Sequence, residues 1–367
     1  MMQHRWIVDN PTVKTYLRHG GSSSPTLSRL PEAQLQQNND RPVLAVLCSG
    51  DSRPPQMGPI EHRMTVRYTD VAGLPRAIEG ADALFLWDFF STAVREVWDR
   101  ADRLRWIHVA SAGVDRLLFD ELAASQVTVT NARGVFDRPM AEFVLMSILA
   151  HAKDAHHSHD LQLARQWQHR ETDTVAGRTA LVVGTGAIGR ETARLLRAVG
   201  LHVLGAGRTA RNGDPDFGTI VASSDLADHV GSADYLVIVA PLTDQTRGLV
   251  NARVFREMKP TSYLVNVGRG PCVVEADLLA ALGQGQIAGA ALDVFEAEPL
   301  SPDHPLWSTP GVTISPHLSG DAVGWLDALA RQFVANAERF LDGQPLVNVV
   351  DKQLGFAART VTQEGTQ

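Results

Sequence analysis

Short apolar runs separated by longer amphipathic stretches organise the chain from Pro42 to about residue 350. The first series, "PVLAVLCSG", "MTVRYTD", "ADALFLWDF", "LRWIHVAS" and "VTVTNA", reads as strands, with helices such as "STAVREVWDRA" between them. Strands alternating with helices predict a parallel sheet covered on both faces. A second series, "TALVVG", "LHVLGAG", "ADYLVIVAP", "SYLVNVG", "IAGAALDVF" and "VTISPH", predicts another sheet of the same kind. From Met140 to Trp167 the chain has neither Pro nor Gly, which predicts one long helix crossing between two domains. A last helix, "DALARQFVANAERFLDG", precedes "QPLVNVV". Residues 320–350 are too few to bury a core of their own, so they are expected to pack back onto the first domain. The expected division is an N-terminal extension over 1–41, a first domain over 42–132 plus 320–350, a second over 133–319 that includes the long helix, and a tail over 351–367.

Composition narrows the class. At 367 residues the chain is long for one core and comfortable for two. Forty-one acidic against 34 basic residues, a formal charge of −7, argue against broad attraction to nucleic acid or to anionic membranes. Two cysteines, Cys48 and Cys272, make no disulfide scaffold and lack metal-site spacing, which fits a reducing, cytoplasmic setting. The start, "MMQHRWIVDNPTVKTYLRHGG", has no apolar core or cleavage signal, and no later run is long enough to span a membrane. Neither export nor membrane insertion is expected.

The most specific local signal is "LVVGTGAIGRETARLLRAVG" from Leu181. Gly184, Gly186 and Gly189 follow a strand-like run and open a helix striped by Ile188, Thr192, Leu195, Leu196 and Val199. In a dinucleotide turn the first glycine permits the bend, the second lets the backbone approach a pyrophosphate, and the third lets helix pack on sheet. The free N–H groups of the helix N-terminus then face the anion. After the next strand, where an NAD site commonly presents a carboxylate to the ribose, the chain reads Ala206, Gly207, Arg208, Thr209 and Arg211, with no acid before Asp214. Arginine suits the 2′-phosphate of NADP. The expected cofactor is therefore NADP(H), with NAD(H) the alternative. Its expected contacts are Gly184, Gly186, Ala187, Ile188, Gly189, Arg208, Thr209, Arg211 as a second phosphate ligand, and Pro241 at the end of "ADYLVIVAP".

Arg269, Glu298 and His317 each stand just beyond a strand-like run, where loops of a parallel sheet share a crevice. Arginine holds an oxyanion or carboxylate, histidine exchanges a proton near neutral pH, and glutamate orients the imidazole. Spacing alone leaves open a solvated loop arginine, a surface acid and a turn histidine beside Pro316. The histidines of "HAKDAHHSHD" point around a helix and complete no metal signature, so no metal is expected. In "DFFS", Phe89 or Phe90 is expected to line a pocket for an apolar or aromatic substrate side chain, with burial in the first domain as the alternative.

Over residues 42 to 350 the sequence resembles the D-isomer-specific 2-hydroxyacid dehydrogenase family. The resemblance rests on "WIHVASAGVDRL", "TNARGVFDRPMAEFVL", "LVVGTGAIGRETARLL", "PLTDQTRGLVNARVFREMKPTSYLVNVGRG" and "GAALDVFEAEPLSPDHPLWSTPGVTISPHLSG". It implies two Rossmann-like or flavodoxin-like doubly wound α/β domains, an interdomain active cleft, and a homodimer formed through the cofactor domain. It implies that Arg269 is the substrate-binding catalytic arginine, Glu298 the partner of histidine, and His317 the proton donor and acceptor. Ser111, Ala112 and Gly113 match the loop whose N–H groups hold the substrate carboxylate. The implied activity is reversible NAD(P)H-dependent reduction of a 2-oxo acid to a D-2-hydroxy acid, with the side chain open. Gly207 followed by Arg208 departs from the aspartate of many NAD-using members. The alternatives are a nucleotide-sensing protein without turnover and a dehydrogenase of formate or phosphite.

Overall fold

The computed structural model describes residues 41–357. Of these, 41–132 with 326–357 form one compact unit and 133–325 a second. The rest of the expected extension and the end of the expected tail lie outside the described residues.

The first unit is a five-stranded parallel sheet of β1 (Val43–Leu47), β2 (Thr65–Thr69), β3 (Ala83–Leu86), β4 (Trp106–Val109) and β5 (Thr128–Asn131), in the order β2-β1-β3-β4-β5. This is a flavodoxin-like winding whose order reverses between β1 and β3. β1, β3 and β4 are almost wholly buried, so β1 and β3 read as unbroken apolar runs and β4 as one broken only by His108. The returning helix Trp325–Leu341 supplies Phe333, which stacks on Phe85 at 3.8 Å and on Trp106 at 5.4 Å between ring centroids. Beyond it, Val350–Asp351 pairs antiparallel with Phe356–Ala357, so the expected polar tail begins as a small hairpin. Lys352 anchors it by donating to the carbonyls of Leu122, Ser125 and Val127.

One polar group is buried in this core at a cost. His108 on β4 is fully buried among Phe85, Trp106 and Phe333. Thr130 Oγ1 accepts from the Trp106 indole and lies 2.8 Å from His108 Nδ1. Whichever of the two donates across that contact, His108 Nε2 finds no partner among the described residues. Burial lowers this imidazole from 6.5 to about 3. The folded state thus refuses a proton that the unfolded chain takes up, so the stabilisation is complete above pH 6.5 and is lost as pH falls toward 3. Between pH 6 and 5 wild type is expected to lose about 1.4 kcal/mol per pH unit relative to His108→Leu. Urea midpoints at several pH values check this; parallel pH dependences in the two proteins would exclude it.

The second unit is an eight-stranded sheet in the order β13-β12-β11-β10-β6-β7-β9-β8. Its strands are β6 (Thr179–Val183), β7 (His202–Gly207), β8 (Arg211–Asp214), β9 (Gly218–Ala222), β10 (Tyr235–Ile238), β11 (Tyr263–Asn266), β12 (Gly289–Leu292) and β13 (Val312–Ile314). All neighbours are parallel except β8, an antiparallel edge strand on β9 that the apolar pattern does not reveal. The polar "RNGD" forms it because one edge of the strand needs no apolar partner. Two apolar clusters, one centred on Leu236, Phe255 and Leu264 and one on Val182, Leu196 and Val237, cover the two faces.

The segment expected as one long helix is two, Asp137–Ala152 and Ala155–Leu163. Asp154 breaks it in the left-handed region, at φ 49°. Arg170 holds the break by donating to the Asp154 carboxylate at 2.8 Å and to its carbonyl at 2.9 Å. Asparagine and aspartate tolerate this conformation better than most residues, so the break needs neither Pro nor Gly.

Candidate active site

The strand order of the second unit reverses at β6, with β10 on one side and β7 on the other. Ligands of open parallel sheets bind outside the C-terminal strand ends at such a reversal, and here the glycine turn lies there. Gly184 has φ 110°, and a Cβ on it would stand 2.8 Å from the Ala240 nitrogen. A Cβ on Gly189 would collide with the Gly184 carbonyl oxygen at 1.8 Å. Gly186, at the N-cap of helix Ala187–Ala198, is different: the space where its Cβ would be is open. The first and third glycines thus shape the turn, while the second leaves room for a ligand. The N–H groups of Ala187, Ile188 and Gly189 belong to the first turn of this helix and have no intrahelical acceptor. These features fit a dinucleotide pyrophosphate. The buried helix face is Gly189, Thr192, Ala193 and Leu196, whereas Val199, expected in the stripe, is 36% exposed. Pro241 follows β10, and its carbonyl accepts from Thr246 Oγ1 at 2.7 Å.

Gly207 ends β7, and a Cβ there would lie 3.0 Å from Thr185 Oγ1. Arg208 and Thr209 follow on the surface. Arg211 begins β8 and makes a 3.2 Å contact with Asp214. Asp214 is itself gripped through both oxygens by Arg190, at 2.9 and 2.8 Å. The nearest acid after β7 is thus engaged by its own protein.

Arg269, Glu298 and His317 leave the C-terminal ends of the adjacent strands β11, β12 and β13. His317 Nδ1 lies 2.9 Å from Glu298 Oε2, while Glu298 Oε1 accepts from the Phe295 N–H at 3.0 Å. A carboxylate only accepts, so Nδ1 carries a proton toward Glu298. His317 has φ 54°, and its N–H donates to the Asp293 carbonyl at 2.8 Å. The fully buried Asp293 carboxylate fixes the same loop, accepting from Ser315 Oγ and from the N–H groups of Leu318 and Ser319. Sequence reasoning passed over Asp293. Its only signal is a carboxylate directly after an apolar strand, "AALD", two positions before an aromatic. Arg269 is half-buried; its Nη1 donates to the Gly268 carbonyl at 2.9 Å, and its own carbonyl accepts from Asn266 and from the Cys272 N–H. A Cβ on Gly270 would fall 1.9 Å from the Phe295 backbone, so this glycine sets how closely the arginine loop and the glutamate loop approach.

In the first unit, Ser111, Ala112 and Gly113 follow β4. Ser111 Oγ donates to the Gly113 carbonyl at 2.6 Å, and Asn131 donates to the Ala112 carbonyl at 2.6 Å. With the loop's carbonyls engaged internally, its form is held by the loop itself and by β5. Phe89 and Phe90 follow β3, beside the reversal of strand order. Their ring centroids are 4.6 Å apart; Phe89 is half-buried, and Phe90 is 40% exposed with Arg116 over its face.

A dinucleotide turn at a strand-order reversal, with a carboxylate-held histidine and an arginine at the same sheet end, defines a nicotinamide-dependent oxidoreductase. The family profile described as D-isomer specific 2-hydroxyacid dehydrogenase, NAD binding domain, matches residues 145–319. The chain is 32% identical to glyoxylate/hydroxypyruvate reductase A of Serratia proteamaculans over 69% of its length and 82% of that protein. It is 32% identical to a glyoxylate reductase of Thermofilum pendens over 71% of its length and 78% of that protein. A crystal structure of a D-isomer specific 2-hydroxyacid dehydrogenase family protein from Aeromonas salmonicida superimposes with TM-score 0.73 at 33% identity, covering 85% of this chain and all of that one. An NADPH-dependent glyoxylate/hydroxypyruvate reductase of Sinorhizobium meliloti in complex with NADP and sulfate superimposes with TM-score 0.72 at 28% identity, covering 86% of this chain and 100% of that one. The chain belongs to the D-isomer specific 2-hydroxyacid dehydrogenase family. It is an NAD(P)-dependent enzyme of the 2-oxo acid and 2-hydroxy acid couple. Among the described residues no helix is long and apolar enough to cross a membrane.

Proposed function

We propose that this enzyme reduces a short 2-oxo acid to the D-2-hydroxy acid with NADPH in preference to NADH. The observation that carries the cofactor choice is the end of β7, where Gly207 carries no acid, Arg208 follows, and Asp214 is held by Arg190. The glycine turn and the N–H groups of Ala187, Ile188 and Gly189 hold the pyrophosphate. Arg208 and Thr209 meet the 2′-phosphate, joined by Arg211. Reduced nicotinamide, when bound, supplies the hydride that the C2 carbonyl accepts. His317 delivers its Nε2 proton to the carbonyl oxygen as charge develops there. Glu298 keeps the ring in the correct tautomer and offsets the positive charge it carries before donating. Arg269 pairs with the substrate carboxylate and polarises the carbonyl.

Relatives named as glyoxylate or hydroxypyruvate reductases favour a short side chain. Phe90, exposed after β3, favours a second reading in which a bulkier apolar side chain is accepted. We place the enzyme in the cytoplasm, in line with two buried thiols and no disulfide. We also propose a homodimer through the cofactor domain, where Leu163 and Trp167 stand 69% and 101% exposed; the mass of the protein in solution tests it.

One kinetic panel tests substrate and cofactor together. With glyoxylate, hydroxypyruvate and phenylpyruvate as acceptors, kcat/KM is expected to be higher with NADPH than with NADH. Arg208→Ala is expected to lower NADPH use by about tenfold to a hundredfold, the worth of one charge-assisted contact of roughly 1.5 to 3 kcal/mol, with much less effect on NADH. Wild-type preference for NADH would reject the cofactor assignment. A clear preference for glyoxylate over phenylpyruvate would reject the bulky-pocket reading.

A further inference from the structure

The second unit carries an ion-pair cluster that the reaction does not use. Arg190, Arg194 and Arg197 lie at i, i+4 and i+7 on helix Ala187–Ala198, and all three reach the turn after β8. Arg190 takes both oxygens of Asp214 and also binds Asp216. Arg194 binds Asp216 at 2.9 Å, and Arg197 donates to the Asp216 carbonyl at 2.9 Å. Asp214 also accepts from the N–H groups of Asp216 and Phe217. Its side chain is 4% exposed and that of Arg190 13%. A bidentate, shielded guanidinium–carboxylate pair is among the stronger polar contacts a protein makes. Arg190 holds the Asp214 carboxyl well below the usual carboxylate range, so it stays charged.

Arg211 touches the same Asp214 oxygen that Arg190 Nη2 binds, but by one longer contact of 3.2 Å, and its side chain is 44% exposed. The carboxylate charge is already met by Arg190, so Arg211 is held weakly and can turn to another anion at little cost. Without Arg190, Arg211 would be the chief counter-ion of a buried carboxylate, and breaking that contact would leave the charge unpaired.

We propose that Arg190 is a positioning residue for cofactor selection: by saturating Asp214 it releases Arg211 for the adenosine 2′-phosphate. It also fixes one end of β8, whose other end adjoins the Arg208–Ala210 loop. The inference rests on the NADPH reading above and adds a residue whose guanidinium binds Asp214 and Asp216.

The test measures binding of the adenosine half alone. Calorimetric Kd values for 2′,5′-ADP and for ADP are compared in wild type, Arg190→Gln, Asp214→Asn and the double variant, with a thermal melt of each. Wild type is expected to favour 2′,5′-ADP. Arg190→Gln is expected to cut that selectivity about tenfold or more through weaker 2′,5′-ADP binding, because the uncompensated carboxylate recaptures Arg211. Asp214→Asn is expected to keep the selectivity, and the double variant to return to within about threefold of wild type. If wild type favours ADP, the cofactor reading and this inference fall together. If wild type favours 2′,5′-ADP and Arg190→Gln keeps its ratio, the inference alone falls. It also falls if both ligands weaken equally in step with a lower melting temperature, or if the double variant is as unselective as Arg190→Gln.

Discussion

His317→Ala is expected to lower kcat for 2-oxo acid reduction by about 10²- to 10⁴-fold while leaving the Kd for NADPH within about twofold of wild type. The range is that of a positioned general acid. Reduction of a carbonyl creates an alkoxide unless a proton arrives in step, and alanine carries none. In the proposed mechanism that proton comes from Nε2, since Nδ1 is directed at Glu298 from 2.9 Å and the other carboxylate oxygen is tied to Phe295. Glu298→Gln separates the two tasks. An amide can still accept from Nδ1 through its oxygen, but it carries no charge to support the imidazolium, so a smaller loss of about tenfold to a hundredfold is expected. Rapid-mixing measurement of the chemical step, together with cofactor titration, checks both. An alanine variant retaining near-normal kcat/KM would remove His317 from the mechanism.

Arg269→Lys is expected to lower kcat/KM by about 10²- to 10³-fold, nearly as much as Arg269→Ala. The size follows from losing an aimed donor at the site of developing charge, roughly 2.7 to 4 kcal/mol. Lysine keeps the charge but not the planar fork that pairs with a carboxylate while also reaching the carbonyl oxygen. The loop that presents Arg269 is also intolerant of rearrangement: Gly270 packs against the Phe295 backbone with no room for a Cβ, and Asn266 holds the arginine carbonyl. A lysine ammonium therefore cannot be brought closer by moving the backbone. Kinetics with a 2-oxo acid and with its ester divide the effect, because an ester lacks the carboxylate that arginine grips. Equal loss with acid and ester would mean that Arg269 serves only the carbonyl.

Legibility differed from residue to residue for physical reasons. The sheets were readable because buried parallel strands are continuous apolar runs, and the glycine turn because only glycine meets its three local demands. For the same reason β8 escaped notice: a polar edge strand carries no periodic apolar signal, and what holds "RNGD" in place is β9 together with the Arg190 pair, which no local rule reveals. The helix break at Asp154 was equally hidden, since its stabilising partner, Arg170, is sixteen residues away.

The sequence by itself determined the alternation of strands and helices, the dinucleotide turn and the missing acid after β7, and through resemblance it proposed the reacting residues. Tertiary structure alone decided which groups meet. It put Glu298 on His317, made buried Asp293 the anchor of the histidine loop, and gave Asp214 to Arg190. Strand and turn preferences are local properties of the backbone, whereas hydrogen bonds and ion pairs between loops depend on strand order. In this sheet that order brings residues 298 and 317, and residues 190 and 214, into contact across separate elements.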